Sequence, residues 1–235
     1  MKTILIQKEK TRAGRILAIL RSTLTIRDED FASVLIAKET NDPFRVLIVT
    51  ILSQSCTDIS ALRAYRILDK RIGVTPDTLS RARIRTIENS IRVAGLFRQK
   101  ARAIRALAKV CDSSDLRRIL REDVETARLE LQQLPKVGPK TADVLLSIWG
   151  RPTISVDTHV DRVSKRLGLA PPNGKYEEVR ESLRVLFDEA DHTLIPLIFM
   201  AHGRRFCKAL SPLCSTCPVM KFCPYALSMH AKRTR

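Results

Sequence analysis

A turn with the sequence Leu134-Pro135-Lys136-Val137-Gly138-Pro139-Lys140-Thr141-Ala142 joins two helical stretches of the chain. Proline and glycine interrupt the first pattern, and an apolar helical pattern then runs from Thr141 to Trp149 and stops at Gly150 and Pro152. Such a tight turn leaves main-chain N–H groups unpaired at the start of the second helix, where they can bind a phosphate without contacting a base. The turn therefore predicts a helical hairpin that can hold a phosphate.

Helical periodicity dominates the rest of the sequence as well. Apolar residues recur every three or four positions between Ala61 and Leu68, and an Arg-rich amphipathic pattern includes Ala101, Ile104 and Ala108. Turn clusters separate these patterns, and no β-hairpin signal connects any two apolar runs. We therefore predict an all-α fold, and the chain length allows one large domain or two small ones.

The charge of the chain favours a polyanionic partner. Lys and Arg total 42 against 25 Asp and Glu, which gives a net charge of +17, and 44% hydrophobic residues are enough for a sizeable core. An excess this large favours nucleic acid over a basic surface that serves only solubility, or over a membrane surface. The first ten residues lack a secretory apolar core, and no apolar run reaches membrane length. We expect a cytoplasmic protein associated with the nucleoid.

Four cysteines near the C-terminus form one compact loop. Cys207, Cys214, Cys217 and Cys223 are spaced C-x6-C-x2-C-x5-C. In an intracellular protein such thiols indicate metal binding before disulfides, and thiolates suit iron–sulfur clusters or zinc. Structural zinc sites usually have two short chelating pairs, whereas here only one pair is closely spaced. A single loop around a four-iron cluster fits the spacing better, and zinc remains the alternative.

Two polar residues, Asp157 and Lys140, are interpreted together with the hairpin and the cysteine loop. The segment Val156-Asp157-Thr158-His159 begins another helical pattern, so Asp157 by itself predicts a helix N-cap. Lys140 by itself is typical of a solvated or phosphate-binding lysine. In a basic chain with a hairpin and a four-cysteine loop, both become candidates for chemistry.

Five segments in order now carry a resemblance to a known family. They are residues 51–58, Ala94-Gly95-Leu96-Phe97-Arg98-Gln99-Lys100-Ala101, the hairpin that ends in Lys140, Val156-Asp157-Thr158-His159 and the cysteine loop. From about residue 30 to about residue 225, the chain resembles the endonuclease III family of the helix-hairpin-helix, Gly/Pro–Asp superfamily of DNA glycosylases. The cysteine spacing combined with a hairpin lysine is the most specific part of the match.

The resemblance implies two all-α domains and a [4Fe-4S] cluster. A continuous six-helix domain with the hairpin is expected at residues 37–151, and an iron–sulfur cluster domain at residues 1–36 and 152–235. The four cysteines of the C-terminal loop are the implied cluster ligands. Duplex DNA that contains a damaged base or an abasic site is the implied partner, bound in the cleft between the domains by a monomer.

The resemblance also implies a bifunctional enzyme, a DNA glycosylase with abasic-site β-lyase activity. The damaged base, expected to be an oxidised pyrimidine, is rotated out of the duplex because its sugar is otherwise unreachable. Lys140 is then the nucleophile that forms a Schiff base, and Asp157 is the essential carboxylate. The implied DNA contacts are Gln54, Ser55 and Leu96, which fill the gap left by the flipped base, together with Arg98, Lys100, Lys136, Val137 and Gly138.

The sequence departs from the family pattern at two positions. Lys136 stands where the family hairpin usually has glycine, and the glutamine of the gap-filling loop usually lies one residue later, at Ser55 rather than Gln54. Two other functions stay open at this point, a mismatch-specific or adenine DNA glycosylase of the same superfamily and a non-catalytic DNA-binding protein. Lys140 argues against the first, and the joint presence of Lys140 and Asp157 argues against the second.

Overall fold

The computed structural model describes residues 2–233 of the chain, with side chains from 4 to 229. Within residues 2–233 the regular structure consists of α-helices and short 3-10 turns without a strand, which confirms the all-α prediction. None of these helices combines the length and apolar character that a membrane crossing requires. The α-helices are α1 Lys2–Thr23, α2 Ala32–Thr40, α3 Pro43–Ser53, α4 Asp58–Arg71, α5 Pro76–Arg81, α6 Ile84–Ser90, α7 Phe97–Val110, α8 Ser113–Ile119, α9 Val124–Leu131, α10 Pro139–Ile148, α11 Thr158–Arg166, α12 Tyr176–Leu186, α13 Leu194–Arg205 and α14 Pro224–Arg233.

The chain divides into two compact units, of which one is the continuous segment Arg27–Arg151. This unit contains α2 to α10, and α3 is its most buried helix, with every residue from Pro43 to Leu52 except Arg45 buried. Side-chain caps fix the starts of α3, α4, α5, α8 and α9 in this unit. Asp42 accepts from the N–H of Phe44 at 2.9 Å at the start of α3, and an N-cap oxygen of this kind satisfies a donor that the helix itself leaves unpaired.

The other unit combines Met1–Ile26 with Pro152–Arg235 and contains α1 and α11 to α14. Its core includes Ile16 and Leu20 from α1, Val160 and Val163 from α11, and Phe199 from α13. Buried residues at a spacing of three to four place one face of each helix against the same core.

The division between the units differs at one point from the one expected from the sequence. The expected domain boundary at residues 36 and 37 falls inside α2, whereas the structure separates the units between Ile26 and Arg27. The physical reason is that Ala32 and Ile36 are fully buried in the core of the Arg27–Arg151 unit. Residues 1, 234 and 235 of the expected cluster domain lie outside the described residues.

Candidate functional site

The hairpin between α9 and α10 is a tight turn with one strained residue. The N–H of Val137 donates to the carbonyl of Leu134 at 3.1 Å, and the side chain of Val137 is 4% exposed and anchors the turn in the core. Lys136, directly before it, has a φ of 63° and an exposed side chain. The turn therefore keeps the left-handed geometry that glycine adopts most easily, although a lysine occupies the position.

Gly138 and Pro139 begin α10 without a side-chain cap. Gly138 is the N-cap in extended conformation, and Pro139 occupies the first helical position. Because the N-cap offers no side-chain acceptor and the first N–H groups of a helix have no partner within it, the start of α10 is suited to an anion. Lys140 is the next residue, it is exposed, and no described residue forms an ion pair or hydrogen bond with its ammonium group.

A buried ion pair, which sequence reasoning missed, connects the two helices of the hairpin. The Nε of Arg128 on α9 donates to both carboxylate oxygens of Asp143 on α10, at 3.0 and 3.1 Å. The two side chains are only 8% and 0% exposed. A charge-assisted pair at this depth fixes the second helix, and with it Lys140, relative to the first. No sequence signal marks it, because charged residues on amphipathic helices are typical of solvent-facing positions.

The residues expected to fill the gap in DNA lie on two irregular segments of the same unit. Ser55 is exposed and has a φ of 55°, while Gln54 is half-buried and its Nε2 donates to Thr141 Oγ1 at 3.4 Å. Leu96 also has a left-handed backbone, with a φ of 46°, and its side chain is 58% exposed. An exposed leucine held by a strained turn is consistent with an insertion role, which stays a prediction here.

One predicted DNA contact is wrong and another stays a prediction. Lys100 is only 3% exposed, and its Nζ donates to the carbonyls of Leu52 and Ala94 at 2.8 and 2.7 Å. Its ammonium group is therefore bound within the unit and does not face a phosphate. Burial lowers the pKa of Lys100, partly offset by Cys56. Arg98 is exposed beside Phe97, with its guanidinium 5.7 Å from the ring centre, and remains a candidate for a phosphate contact.

Asp157 is the N-cap of α11, as its position in the sequence predicted. Its Oδ1 accepts from the N–H groups of His159 and Val160 at 2.8 and 2.7 Å. Oδ2 lies 3.2 Å from the Nδ1 of His159, and the carboxylate is 13% exposed. Main-chain donors at a helix N-terminus favour a charged carboxylate, and such a group can stabilise positive charge on a nearby molecule.

The four cysteines of the C-terminal loop line a single cavity. Cys207 follows α13, Cys214 begins a 3-10 turn that Cys217 ends, and Cys223 directly precedes α14. All four are free thiols and face the same cavity. Burial raises the pKa of Cys217 to about 11, and the charges of the other three cysteines raise it as well.

Neighbouring side chains fix this loop. Arg166 of α11 donates to the carbonyls of Lys208 and Ala209 at 2.7 and 3.0 Å, and its Nη1 lies 3.5 Å from the Cys207 sulfur. The buried His202 places its Nε2 at 3.8 Å from the Cys217 sulfur. A cationic group and a ring nitrogen beside the sulfur atoms suit a negatively charged thiolate site.

The chemistry of the donor set suits a metal centre. Four thiol sulfur atoms line one cavity, and soft sulfur ligands suit an iron–sulfur cluster or zinc. Within the described residues, no group of three or more His, Cys, Asp or Glu side chains is already arranged around a single metal ion.

The chain is all-α, its hairpin presents an unpaired lysine, and its second unit contains four thiols around one cavity. These features are typical of helix-hairpin-helix DNA repair proteins. The profile of the HhH-GPD superfamily base excision DNA repair protein matches residues 48–189. Endonuclease III of Sulfolobus acidocaldarius is 36% identical over 217 residues, which cover 92% of this chain and 96% of the relative. Endonuclease III of Bacillus subtilis is 34% identical over 187 residues, 78% and 81% of the two chains. The chain therefore belongs to the endonuclease III family of the HhH-GPD superfamily.

Solved structures agree with this assignment. A non-covalent endonuclease III–DNA complex superposes with a TM-score of 0.78 at 30% identity, covering 95% of this chain and 98% of the other. A trapped covalent endonuclease III–DNA intermediate gives a TM-score of 0.70 at 33% identity, with 87% and 96% coverage. A thermostable thymine-DNA glycosylase, at 22% identity and a TM-score of 0.72, shares the fold.

Proposed function

We propose that this chain removes oxidised pyrimidines from duplex DNA and cleaves the resulting abasic site through a Schiff base on Lys140. Membership of the endonuclease III family makes the chain a bifunctional base excision repair enzyme, a DNA glycosylase with lyase activity. The observation that carries the proposed mechanism is Lys140 itself, exposed and unpaired on the first turn of α10. The trapped covalent DNA complex of a relative supports a nucleophilic side chain in this family.

The proposed chemistry begins with the unprotonated Lys140 amine. It attacks C1′ of the flipped nucleotide, the glycosidic bond breaks, and the base leaves with the bonding electrons and takes up a proton. Opening of the sugar ring then gives a protonated imine between Lys140 and C1′. Loss of a C2′ proton expels the 3′ phosphate, and water hydrolyses the imine to free the lysine.

Asp157 is proposed to stabilise the positive charge that develops on the sugar and to help move protons. Two main-chain N–H groups and His159 already hold its carboxylate in one orientation. Preorganised charge of this kind needs little rearrangement at the moment of reaction. The negative charge, and not the capping oxygen alone, is therefore the property that we expect catalysis to need.

The proposed cofactor is a [4Fe-4S] cluster held by Cys207, Cys214, Cys217 and Cys223. When bound, such a cluster supplies folding energy and a one-electron redox centre. Arg166 and His202 are proposed to orient the thiolates through the contacts described above. The enzyme is further proposed to act as a monomer at the nucleoid, where duplex DNA is found.

Borohydride trapping tests the proposed mechanism. Wild-type protein mixed with duplex DNA that contains an abasic site or thymine glycol should become covalently linked, because borohydride reduces the imine to a stable amine. Lys140→Gln should lose both the covalent link and strand cleavage while it still binds the damaged DNA. Wild-type protein that excises the base without any trapped complex would refute the Schiff base, and a panel of single lesions would then identify its substrate.

A further inference from the structure

Lys100 connects the two irregular segments that contain the proposed gap-filling residues. Its ammonium group donates to the carbonyl of Leu52 at 2.8 Å and to that of Ala94 at 2.7 Å, and the Cys56 sulfur lies 3.9 Å away. These three acceptors match the three N–H donors of an ammonium group. A single nitrogen therefore holds two chain segments that are distant in the sequence.

Each of the two carbonyls lies just ahead of a left-handed turn. Leu52 is in the last turn of α3, and Ser55 follows with its φ of 55°. Ala94 ends a 3-10 turn and is followed by Gly95 and Leu96, whose φ angles are 64° and 46°. A small displacement of either carbonyl would therefore turn the Gln54–Ser55 loop or the Leu96 turn in a new direction.

Lys100 also holds Leu96 from its other side. The main-chain N–H of Lys100 donates to the carbonyl of Leu96 at 3.0 Å, while the side chain of Lys100 binds Ala94. Lys100 therefore holds both the carbonyl of Leu96 and the carbonyl of Ala94, two residues before it. This arrangement limits how far Leu96 can move when it meets a base pair.

The chemistry of a buried ammonium explains why a lysine suits this position. A buried charge is costly unless it is fully hydrogen-bonded, and the partners here are neutral main-chain and thiol groups. The carbonyl of Leu52 lies at the C-terminal end of α3, where the helix dipole favours a cation. Removing only the ammonium would take this donor from the carbonyl of Ala94 and leave that of Leu52 with the Cys56 thiol at 3.0 Å, which is more disruptive than the loss of one surface contact.

We propose that Lys100 is a positioning residue that fixes the Gln54–Ser55 loop and the Leu96 turn relative to each other. Both segments then enter the gap in the duplex together when the damaged nucleotide leaves the stack. The inference rests on the proposed function. The Gln54 contact to Thr141 extends the same linkage to the residue next to Lys140. Lys100 itself contacts neither the DNA nor the reacting atoms.

The test compares excision of one lesion in two contexts. Single-turnover rates are measured for thymine glycol in a fully paired duplex and for the same lesion inside a bubble of mismatched bases, where extrusion needs less unstacking. Lys100→Met removes the ammonium at nearly constant volume. We expect its rate on paired DNA to fall by about ten- to a hundredfold, the range for hydrogen bonds to a charged group, with a much smaller loss on the bubble.

Lys109→Met is the matched control. Lys109 is exposed near the other end of α7, so this variant removes the same charge from the same helix without touching either loop. Its ratio of paired to bubble rates should equal that of the wild type. A merely structural role for Lys100 would lower both rates alike, in step with the melting temperature.

An unchanged rate ratio in folded Lys100→Met would overturn the proposal. If that variant does not fold, Lys100→Arg decides, because its planar guanidinium keeps the charge but cannot reproduce the three contacts of an ammonium. We expect Lys100→Arg to lower the ratio several-fold, and an unchanged ratio would again overturn the proposal. Borohydride trapping of the wild type on both substrates serves as the separate check, since its failure would count against the proposed function rather than against Lys100.

Discussion

Replacing Lys136 with glycine should stabilise the protein and weaken its DNA binding at the same time. The left-handed conformation at Lys136, with a φ of 63°, costs a residue with a side chain about 1–2 kcal/mol. Glycine removes this strain but gives the unfolded chain more freedom, which offsets about 0.4–1 kcal/mol. The side chain of Lys136 is exposed, so little packing is lost. We therefore expect the free energy of unfolding to rise, by up to about 1.6 kcal/mol.

The effect on DNA follows from charge alone. If Lys136 contacts one phosphate, its loss should reduce the slope of log affinity against log salt concentration by about 0.9 on duplex DNA. Binding is measured by fluorescence anisotropy across a salt series, in the Lys140→Gln background so that the DNA stays intact. Stability is measured by urea denaturation of the same preparations.

Lys136→Asn separates the two effects, because asparagine tolerates the left-handed region better than lysine but has no charge. It should bind DNA like the glycine variant while its stability changes less. A glycine variant that is less stable than the wild type would refute the argument from strain. An unchanged salt slope in both variants would show that Lys136 makes no phosphate contact.

Three further predictions concern the carboxylate, the cysteine loop and the buried ion pair. Asp157→Asn keeps a good N-cap, so the melting temperature should hardly change. Single-turnover base release on thymine-glycol DNA should nevertheless fall by about a hundred- to a thousandfold, because the negative charge is lost. A wild-type rate would leave Asp157 with the capping role alone. If the proposed cluster makes the purified protein brown, Cys214→Ser should abolish that colour and the bound iron and increase proteolysis of the cysteine loop. A full iron content would contradict the ligand assignment. Asp143→Asn should lower the free energy of unfolding by about 3–5 kcal/mol because it removes the negative charge that faces the buried Arg128, whereas joint replacement by Arg128→Met and Asp143→Leu should restore most of the loss. Equal melting curves for single and double variants would contradict that reasoning.

Local patterns explain what the sequence could predict. The hairpin, the cap at Asp157 and the end of α10 at Trp149 and Gly150 all depend on residues within one or two turns of each other. Proline, glycine and short polar side chains act on the backbone beside them, so the turns and caps that they form can be predicted without knowledge of the tertiary structure. The left-handed residue in the hairpin belongs to the same group, although a lysine occupies it.

Contacts between distant segments explain what the sequence could not predict. Lys100 lies on an Arg-rich amphipathic helix and has the pattern of a solvated cation, yet its ammonium is bound by a carbonyl 48 residues away. The ion pair between Arg128 and Asp143 was missed for the same reason. Ile36 in turn is an ordinary apolar residue, and only its burial in the core of the Arg27–Arg151 unit shows on which side of the boundary it belongs.

The discontinuous unit has a consequence for the order of events during synthesis. Arg12 on α1 donates to the carbonyls of Leu167 and Phe222, which lie 155 and 210 residues further along the chain. Helix α1 is therefore synthesised well before the segments that it binds, and the whole Arg27–Arg151 unit, which has a core of its own, is synthesised between them. All four cysteines of the loop are present together only after Cys223 has been added, so the second unit can complete its core and its cysteine loop only after the first unit has been made.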